Sequence, residues 1–224
     1  MSTAQAVLLI AAVCVLFATV HSALAMDRVK EAFARALGET TVRAWYRLAY
    51  TLVSVIMTVM AAYMVMSVPD IPLLVLEGPL RLLARLAQGL GVALVLMAMR
   101  VVDGWEFIGL RQAVRRLRGE SLGGDCEGLT SHGLVTDGVF SIVRNPLYLG
   151  GILIVTFSPD ITRTWATVVV LADAYFILGA LIEERRLAER FGDEYRQYRA
   201  RVPLLLPDIR AFMGKRLTGR RTGR

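Results

Sequence analysis

Residues 147–182 read LYLGGILIVTFSPDITRTWATVVVLADAYFILGALI, and the division of this stretch decides the architecture. Its second part, Thr164–Ile182, carries no charge except Asp173. That is close to the ~20 mostly apolar residues a helix needs to cross a hydrocarbon core. The first part, Leu147–Phe157, is equally apolar but has 11 residues and is closed by Ser158-Pro159-Asp160. Six residues separate the two runs. They read as a helical hairpin whose first arm is too short to cross by itself.

Upstream, Val7–Ala25, Leu48–Val68 and Leu82–Val102 are three further apolar runs, the last opening with Arg81 and Arg85 on one side. The expected fold is therefore all-α, a polytopic membrane bundle of five helices with the hairpin as its fourth and fifth. Composition agrees. The 224 residues are 55% hydrophobic, above the ~45–50% of soluble domains, and the mean hydropathy is +0.53. Two cysteines, Cys14 in an apolar run and Cys126 in a polar loop, build neither a disulfide framework nor a zinc cluster. No metal site is expected, and no internal repeat or low-complexity segment is present.

The first run competes with a signal peptide, because Ala23-Leu24-Ala25 has the small-x-small form of a cleavage site. Residues 1–6 carry no Lys or Arg, however, and the segment after the run is basic (Arg28, Lys30, Arg35, Arg43, Arg47). That pattern marks a cytoplasmic flank behind a retained helix. Cations alternate along the whole chain: five in 26–47, none in 69–79, five in 103–145, one in 158–163 and twelve from 183 onward. The amino terminus is thus expected outside and the carboxyl tail in the cytosol, with the protein in the inner membrane. The net charge of +7 is a topology signal, and no nucleic-acid partner follows from it. Lys215–Arg224 would touch anionic lipid head groups.

Two cytoplasmic pieces read as structured. Asp103–Arg118 forms an expected interfacial helix continuing the third span, with Trp105, Phe107, Ile108 and Leu110 on its apolar side. Glu183–Arg201 forms an expected C-terminal helix with Leu187, Phe191, Tyr195 and Tyr198 on one face and a break at Gly192-Asp193.

Candidate chemistry concentrates between His132 and Gly151. Asn145-Pro146 is a helix start, with Asn as cap and Pro in the first turn, where its missing donor costs nothing. The free N–H groups of such a terminus also seat an anion, with Arg144 beside them. Gly150-Gly151 permits close approach of a ligand or of another helix. Glu183-Glu184-Arg185-Arg186 places two acids at a helix carboxyl end, which opposes the dipole. A Glu183–Arg186 pair offsets this, and the alternative role is a carboxylate for ribose hydroxyls or a cofactor amino group. Asp173, charged in mid-span, needs a partner such as His21 or Tyr175. His21 ends the first span, where a histidine without a role is the commoner case.

Two linked motifs make the chain recognisable. Leu134-Val-Thr-x-Gly-x-Phe-x-x-x-Arg-Asn-Pro-x-Tyr-x-Gly150 is followed by Glu183-Glu-x-x-Leu-x-x-x-Phe-Gly-x-x-Tyr-x-x-Tyr198 and Val202-Pro…Pro207. Together they resemble the membrane methyltransferases, which include isoprenylcysteine carboxyl, phospholipid N- and methanethiol S-methyltransferases. The specific match covers about 130–207. Further similarity to the methanethiol branch lies at His21-Ser22, Arg43-x-x-Tyr46-Arg47, Phe107–Gln112 and Ser158–Thr162. The resemblance implies N-terminal membrane helices over 1–102, a methyltransferase core over 103–207 and a basic tail over 208–224. It implies S-adenosyl-L-methionine as cofactor, bound by His132, Gly133, Leu134, Val135, Phe140, Asn145, Pro146, Leu147, Tyr148 and Glu183, and an acceptor that is a small molecule or lipid-like.

Two departures bear on the acceptor. The family's His in Arg-His-Pro-x-Tyr is Asn145 here, which cannot titrate. The Arg that prenylcysteine enzymes carry four residues before the position of Glu183 is Gly179. A buried carboxylate acceptor without a cation is poorly held, so the expected acceptor is a thiol such as methanethiol. A thiol must lose its proton first; the candidate helpers are Tyr148, His132 and Arg144. The competing readings are a prenylcysteine carboxylate or lipid amine acceptor, a sterol-type reductase binding NADPH, and a non-catalytic protein on the same scaffold.

Overall fold

The computed structural model describes residues 2–122 and 133–206. His132, Cys126, Pro207 and the basic tail from 208 lie outside the described residues. The chain is built from α1 (Thr3–Ala25), α2 (Asp27–Leu37), α3 (Glu39–Ser67), β1 (Pro72–Val75), α4 (Gly78–Val101), α5 (Gly104–Phe107), α6 (Leu110–Leu117), a 3-10 turn (Gly138–Ser141), α7 (Pro146–Thr156), β2 (Asp160–Thr162) and α8 (Arg163–Arg201). Four helices, α1, α3, α4 and α8, are long and apolar enough to cross a membrane, and α7 is a shorter apolar helix. All four long runs picked out in the sequence coincide with these helices, two of them passing the helix end by one residue (Val68 and Val102).

The surface explains itself only in lipid. Leu52, Val55, Ile56, Val59, Met60 and Tyr63 of α3, with Leu82, Leu83, Leu86 and Leu90 of α4, are all exposed. A contiguous apolar belt of that kind is not sustained in water. The protein is an integral membrane protein.

At one end of the bundle, four helix termini are tied together. β1 and β2 pair antiparallel, and the Leu76 N–H donates to the Pro159 carbonyl at 2.8 Å. Arg81 of α4 pairs with Asp160 at 2.9 Å. The Asp70 carboxylate accepts from the Thr164 N–H at 3.0 Å, closing the first turn of α8. Arg163 reaches the Pro69 carbonyl at 2.6 Å and the Thr3 hydroxyl at 3.2 Å, which brings in the start of α1. Strand pairing here was not expected from sequence, since each strand is only three or four residues long.

The α4–α7 contact rests on two glycines. A Cβ on Gly91 would lie 2.7 Å from the Gly150 carbonyl oxygen, and one on Gly150 would lie 2.8 Å from that of Gly91. Gly150 therefore serves helix packing. Asp173 finds Thr156 of α7, whose hydroxyl donates to it at 2.7 Å; neither His21 nor Tyr175 is the partner.

The expected interfacial helix over 103–118 is divided. Asp103 takes a left-handed conformation and caps α5 through its side chain, and Gly109 (φ +87°) separates α5 from α6. A Cβ at Gly109 would collide with the backbone of Arg47 and Leu48, so only glycine lets α3 pass this close. Trp105 is 62% exposed and Leu110 is exposed too, while Glu106 and Gln112 are buried. The C-terminal helix is continuous with the last span as α8, and its break falls at Gly192 (φ +52°), where the glycine was expected to interrupt it.

Candidate functional site

At the opposite end of the bundle, a cavity of about 600 Å³ lies between the end of α1, the start of α3, residues 134–148 and α8. Leu134, Val135, Phe140, Arg144, Asn145, Pro146, Leu147, Tyr148 and Glu183 line it together. Gly133 is described but does not line it, and His132 lies outside the described residues.

The start of α7 is held from behind. The N–H groups of Arg144 and Asn145 donate to the carbonyls of Pro203 and Leu204, at 2.9 and 3.2 Å, so the segment after α8 straps the segment before α7. Asn145 occupies the cap position, yet its side chain makes no capping bond. It is 7% exposed and lines the cavity. The expectation that Asn145 caps α7 is thus corrected: the strap already fixes the backbone, and the amide is left to the cavity.

Arg144 and Glu184 form a buried ion pair, at 7% and 10% side-chain exposure, and Arg144 also donates to the carbonyls of Arg199 and Val202. Arg199 approaches Glu184 at 3.4 Å. This cluster joins the α7 start to both parts of α8. Glu184 therefore points inward. Glu183, its neighbour, lines the cavity and pairs with Arg186 at 3.3 Å, the i,i+3 pair expected from sequence.

Two glycines of the hairpin make room for aromatic rings. A Cβ on Gly179 would lie 3.0 Å from Cε1 of Tyr148, and one on Gly151 would lie 2.8 Å from Cζ of Phe176. Tyr148 and Phe176 meet edge to face, with centroids 6.4 Å apart. Both rings line the cavity.

The wall from α1 and α3 was largely missed. His21 Nε2 is 2.7 Å from the Tyr50 hydroxyl and Nδ1 is 3.0 Å from Ser54 Oγ. Arg47 lies over the rings of Phe107 and Tyr50, 4.5 and 5.4 Å from their centroids. Tyr46 donates to the Leu24 carbonyl at 2.7 Å, and Lys30 also reaches the cavity. A signal was present: Arg47, Tyr50, Thr51, Ser54 and Thr58 recur at helical spacing and draw a polar stripe down an otherwise apolar helix.

Such a cavity has the size of a small-molecule site, with one carboxylate, several cations and an aromatic wall set into a membrane bundle. Comparison with known proteins finds relatives of the chain. Methanethiol S-methyltransferase 1 of Bradyrhizobium diazoefficiens is 28% identical over 206 residues, covering 92% of this chain and 68% of that protein. Methanethiol S-methyltransferase of Pseudomonas deceptionensis is 30% identical over 126 residues, 56% of this chain and 45% of its own. Protein-S-isoprenylcysteine O-methyltransferase of Schizosaccharomyces pombe is 32% identical over 81 residues, about a third of each. No family profile matches the chain, and no solved structure matches it. The chain is similar to these methyltransferases and is itself an enzyme that transfers methyl groups. Within that class it is similar to the methanethiol S-methyltransferases over most of its length.

Proposed function

We propose that this enzyme transfers a methyl group from S-adenosyl-L-methionine to methanethiol or a similar small thiol. The observation that carries the reading is Gly179. At the place where the resemblance puts the carboxylate-binding Arg of prenylcysteine enzymes, this chain has no side chain, and the Tyr148 ring fills the space. A long cationic side chain at that position would have to displace the ring. The cations that line the cavity are Lys30, Arg47, Arg144 and Arg186; Arg144 is already paired with Glu184 and Arg186 with Glu183.

The residues present fit the donor. The cavity volume suits a ligand of its size, Leu134, Val135, Phe140 and Leu147 offer apolar surface for a base, and Glu183 offers a carboxylate for hydroxyl or amino groups. The N-terminus of α7 favours negative charge. The resemblance adds His132 to the proposed set, whereas Gly133 does not line the cavity. The donor supplies an already activated sulfonium methyl. What remains for the protein is to align the acceptor, exclude water and take the thiol proton. Tyr148 contributes by shaping the acceptor side of the cavity. Arg144 contributes by holding α7 in register with α8, since its guanidinium is committed to Glu184 and two carbonyls.

The proposed setting is the inner membrane, with five passes, the cavity end in the cytosol, and the chain divided at 102 and 207. A polar donor then enters from the cytosol, while an apolar thiol arrives from the lipid. Methyl transfer from radiolabelled S-adenosyl-L-methionine, measured in the same membranes for methanethiol and for a prenylated cysteine acid, tests the acceptor. Labelling of methanethiol with little or none of the prenylcysteine is expected. Labelling of the prenylcysteine alone overturns the reading.

A further inference from the structure

A thiol acceptor must reach the donor as thiolate, so the protein has to take a proton. Arg144 cannot accept one, because a guanidinium stays charged, and Asn145 does not titrate. The Tyr148 hydroxyl has no hydrogen-bond partner among the described residues to which a proton could pass. The cluster at His21 is differently built.

Ser54 fixes its tautomer. The Ser54 hydroxyl donates to the Tyr50 carbonyl at 2.7 Å, and a hydroxyl has one hydrogen to give. Its oxygen can therefore only accept from His21 Nδ1, 3.0 Å away. Nδ1 then carries the hydrogen, and Nε2 of the neutral ring holds a lone pair. That lone pair lies 2.7 Å from the Tyr50 hydroxyl, which donates to it. Phe17 stacks on the imidazole, with centroids 5.3 Å apart, and Tyr175 meets it edge-on at 6.3 Å, so the ring orientation is held from three sides. Tyr50 and His21 both line the cavity.

We infer that Tyr50 and His21 form the proton acceptor for the thiol, with Tyr50 as the relay and His21 as the base. The inference rests on the thiol methyltransferase reading. In the step, the S–H bond breaks and its electron pair stays on sulfur. The proton passes to the Tyr50 oxygen as the Tyr50 proton passes to Nε2. Neutral thiol and neutral imidazole become thiolate and imidazolium, and the Nδ1 hydrogen stays on Nδ1, donated to Ser54 Oγ. Arg47, over the Tyr50 ring, favours negative charge on the phenolic oxygen during the exchange. After methyl transfer the proton leaves His21 for solvent.

Two measurements decide it. The chain has two histidines, so nitrogen-15 histidine NMR of the detergent-solubilised protein in a His132→Gln background reads His21 alone, without any donor. A hydrogen on Nδ1 is expected, and a hydrogen on Nε2 overturns the proposal. Second, His21→Gln and Tyr50→Phe are assayed with methanethiol and with an aromatic thiol already ionised at neutral pH. Transfer to methanethiol should fall by about 10²-fold or more, the range of lost general-base catalysis, and transfer to the aromatic thiol by less than about tenfold. S-adenosylhomocysteine binding by calorimetry should persist. Equal losses on both thiols, or none, overturn the proposal. If His21→Gln abolishes S-adenosylhomocysteine binding, Tyr50→Phe, which keeps the ring, decides by the same comparison. A wild-type protein that methylates neither thiol overturns the reading beneath it instead.

Discussion

Glu183 and Glu184 are adjacent in sequence and opposite in fate. Glu183 lines the cavity, so Glu183→Gln should weaken S-adenosyl-L-methionine binding by about 1–3 kcal/mol, the range for a charge-assisted hydrogen bond lost at a partly buried site. Calorimetry with purified protein measures this. Glu184 is 8% exposed and lies beneath Arg144 and Arg199. Removing its charge leaves a buried guanidinium without its partner, a change that costs about 3–5 kcal/mol. Glu184→Gln should therefore lower the thermal unfolding temperature in detergent. A loss of affinity without a loss of stability would show that Glu184 faces ligand after all. The motif singled out Glu183 and gave Glu184 no role, so their division of labour was not legible. At i and i+1 the two point about 100° apart on a helix, and which one faces inward depends on Arg144, forty residues upstream. Asn145 tells the same story: the residue type suits a cap, but the strap from residues 203–204 holds the chain just before α7, and the amide lines the cavity instead.

At the scale of elements, long apolar runs were easy to read because hydrophobic length is written locally. The short strands at the far end were not, because their pairing joins residues some ninety positions apart. That strand end holds the expected pH dependence. Burial alone would push the Asp70 carboxyl up, but hydrogen bonds from the Thr162 and Thr164 side chains and from the Thr164 and Ile71 N–H groups hold it below the ordinary carboxylate range. A depressed folded value means that the stabilisation is fully present above the unfolded pKa of about 3.9 and is lost as pH falls through the folded value. Thermal stability should accordingly drop only below about pH 4, and Asp70→Asn should remove that acid step while lowering stability at neutral pH. A second element-level expectation concerns α4 and α7. Gly91→Val would push a branched side chain into the Gly150 carbonyl, and such overpacking costs about 1–3 kcal/mol. Because α7 carries Tyr148 and the cavity's α7 edge, methyl transfer should fall together with stability, unlike the effect of Glu183→Gln.

For the whole molecule the decisive question is which end faces the cytosol. Among the described residues, the cavity end carries the cations: five over 26–47, five over 103–145 and six over 183–206, against none over 69–79 and one over 158–163. Excess Lys and Arg in short loops retains those loops on the cytoplasmic side. α7 complicates the count of passes. Its 11 residues span about 16 Å, half a hydrocarbon core, yet it runs from the cavity, which Asn145 and Pro146 line, to β2, which pairs with β1 at the far end. On the proposed topology, a chain that reaches the far end through α7 and returns through α8 makes a full round trip. Reporter fusions after residues 75, 120 and 206 should therefore read outside, inside and inside. An amino-terminal tag should read outside, since the Thr3 hydroxyl meets Arg163 at the strand end. If position 120 instead reads outside, the loop before α7 faces away from the cytosolic pool of the donor, and the cavity cannot be the methyl-transfer site.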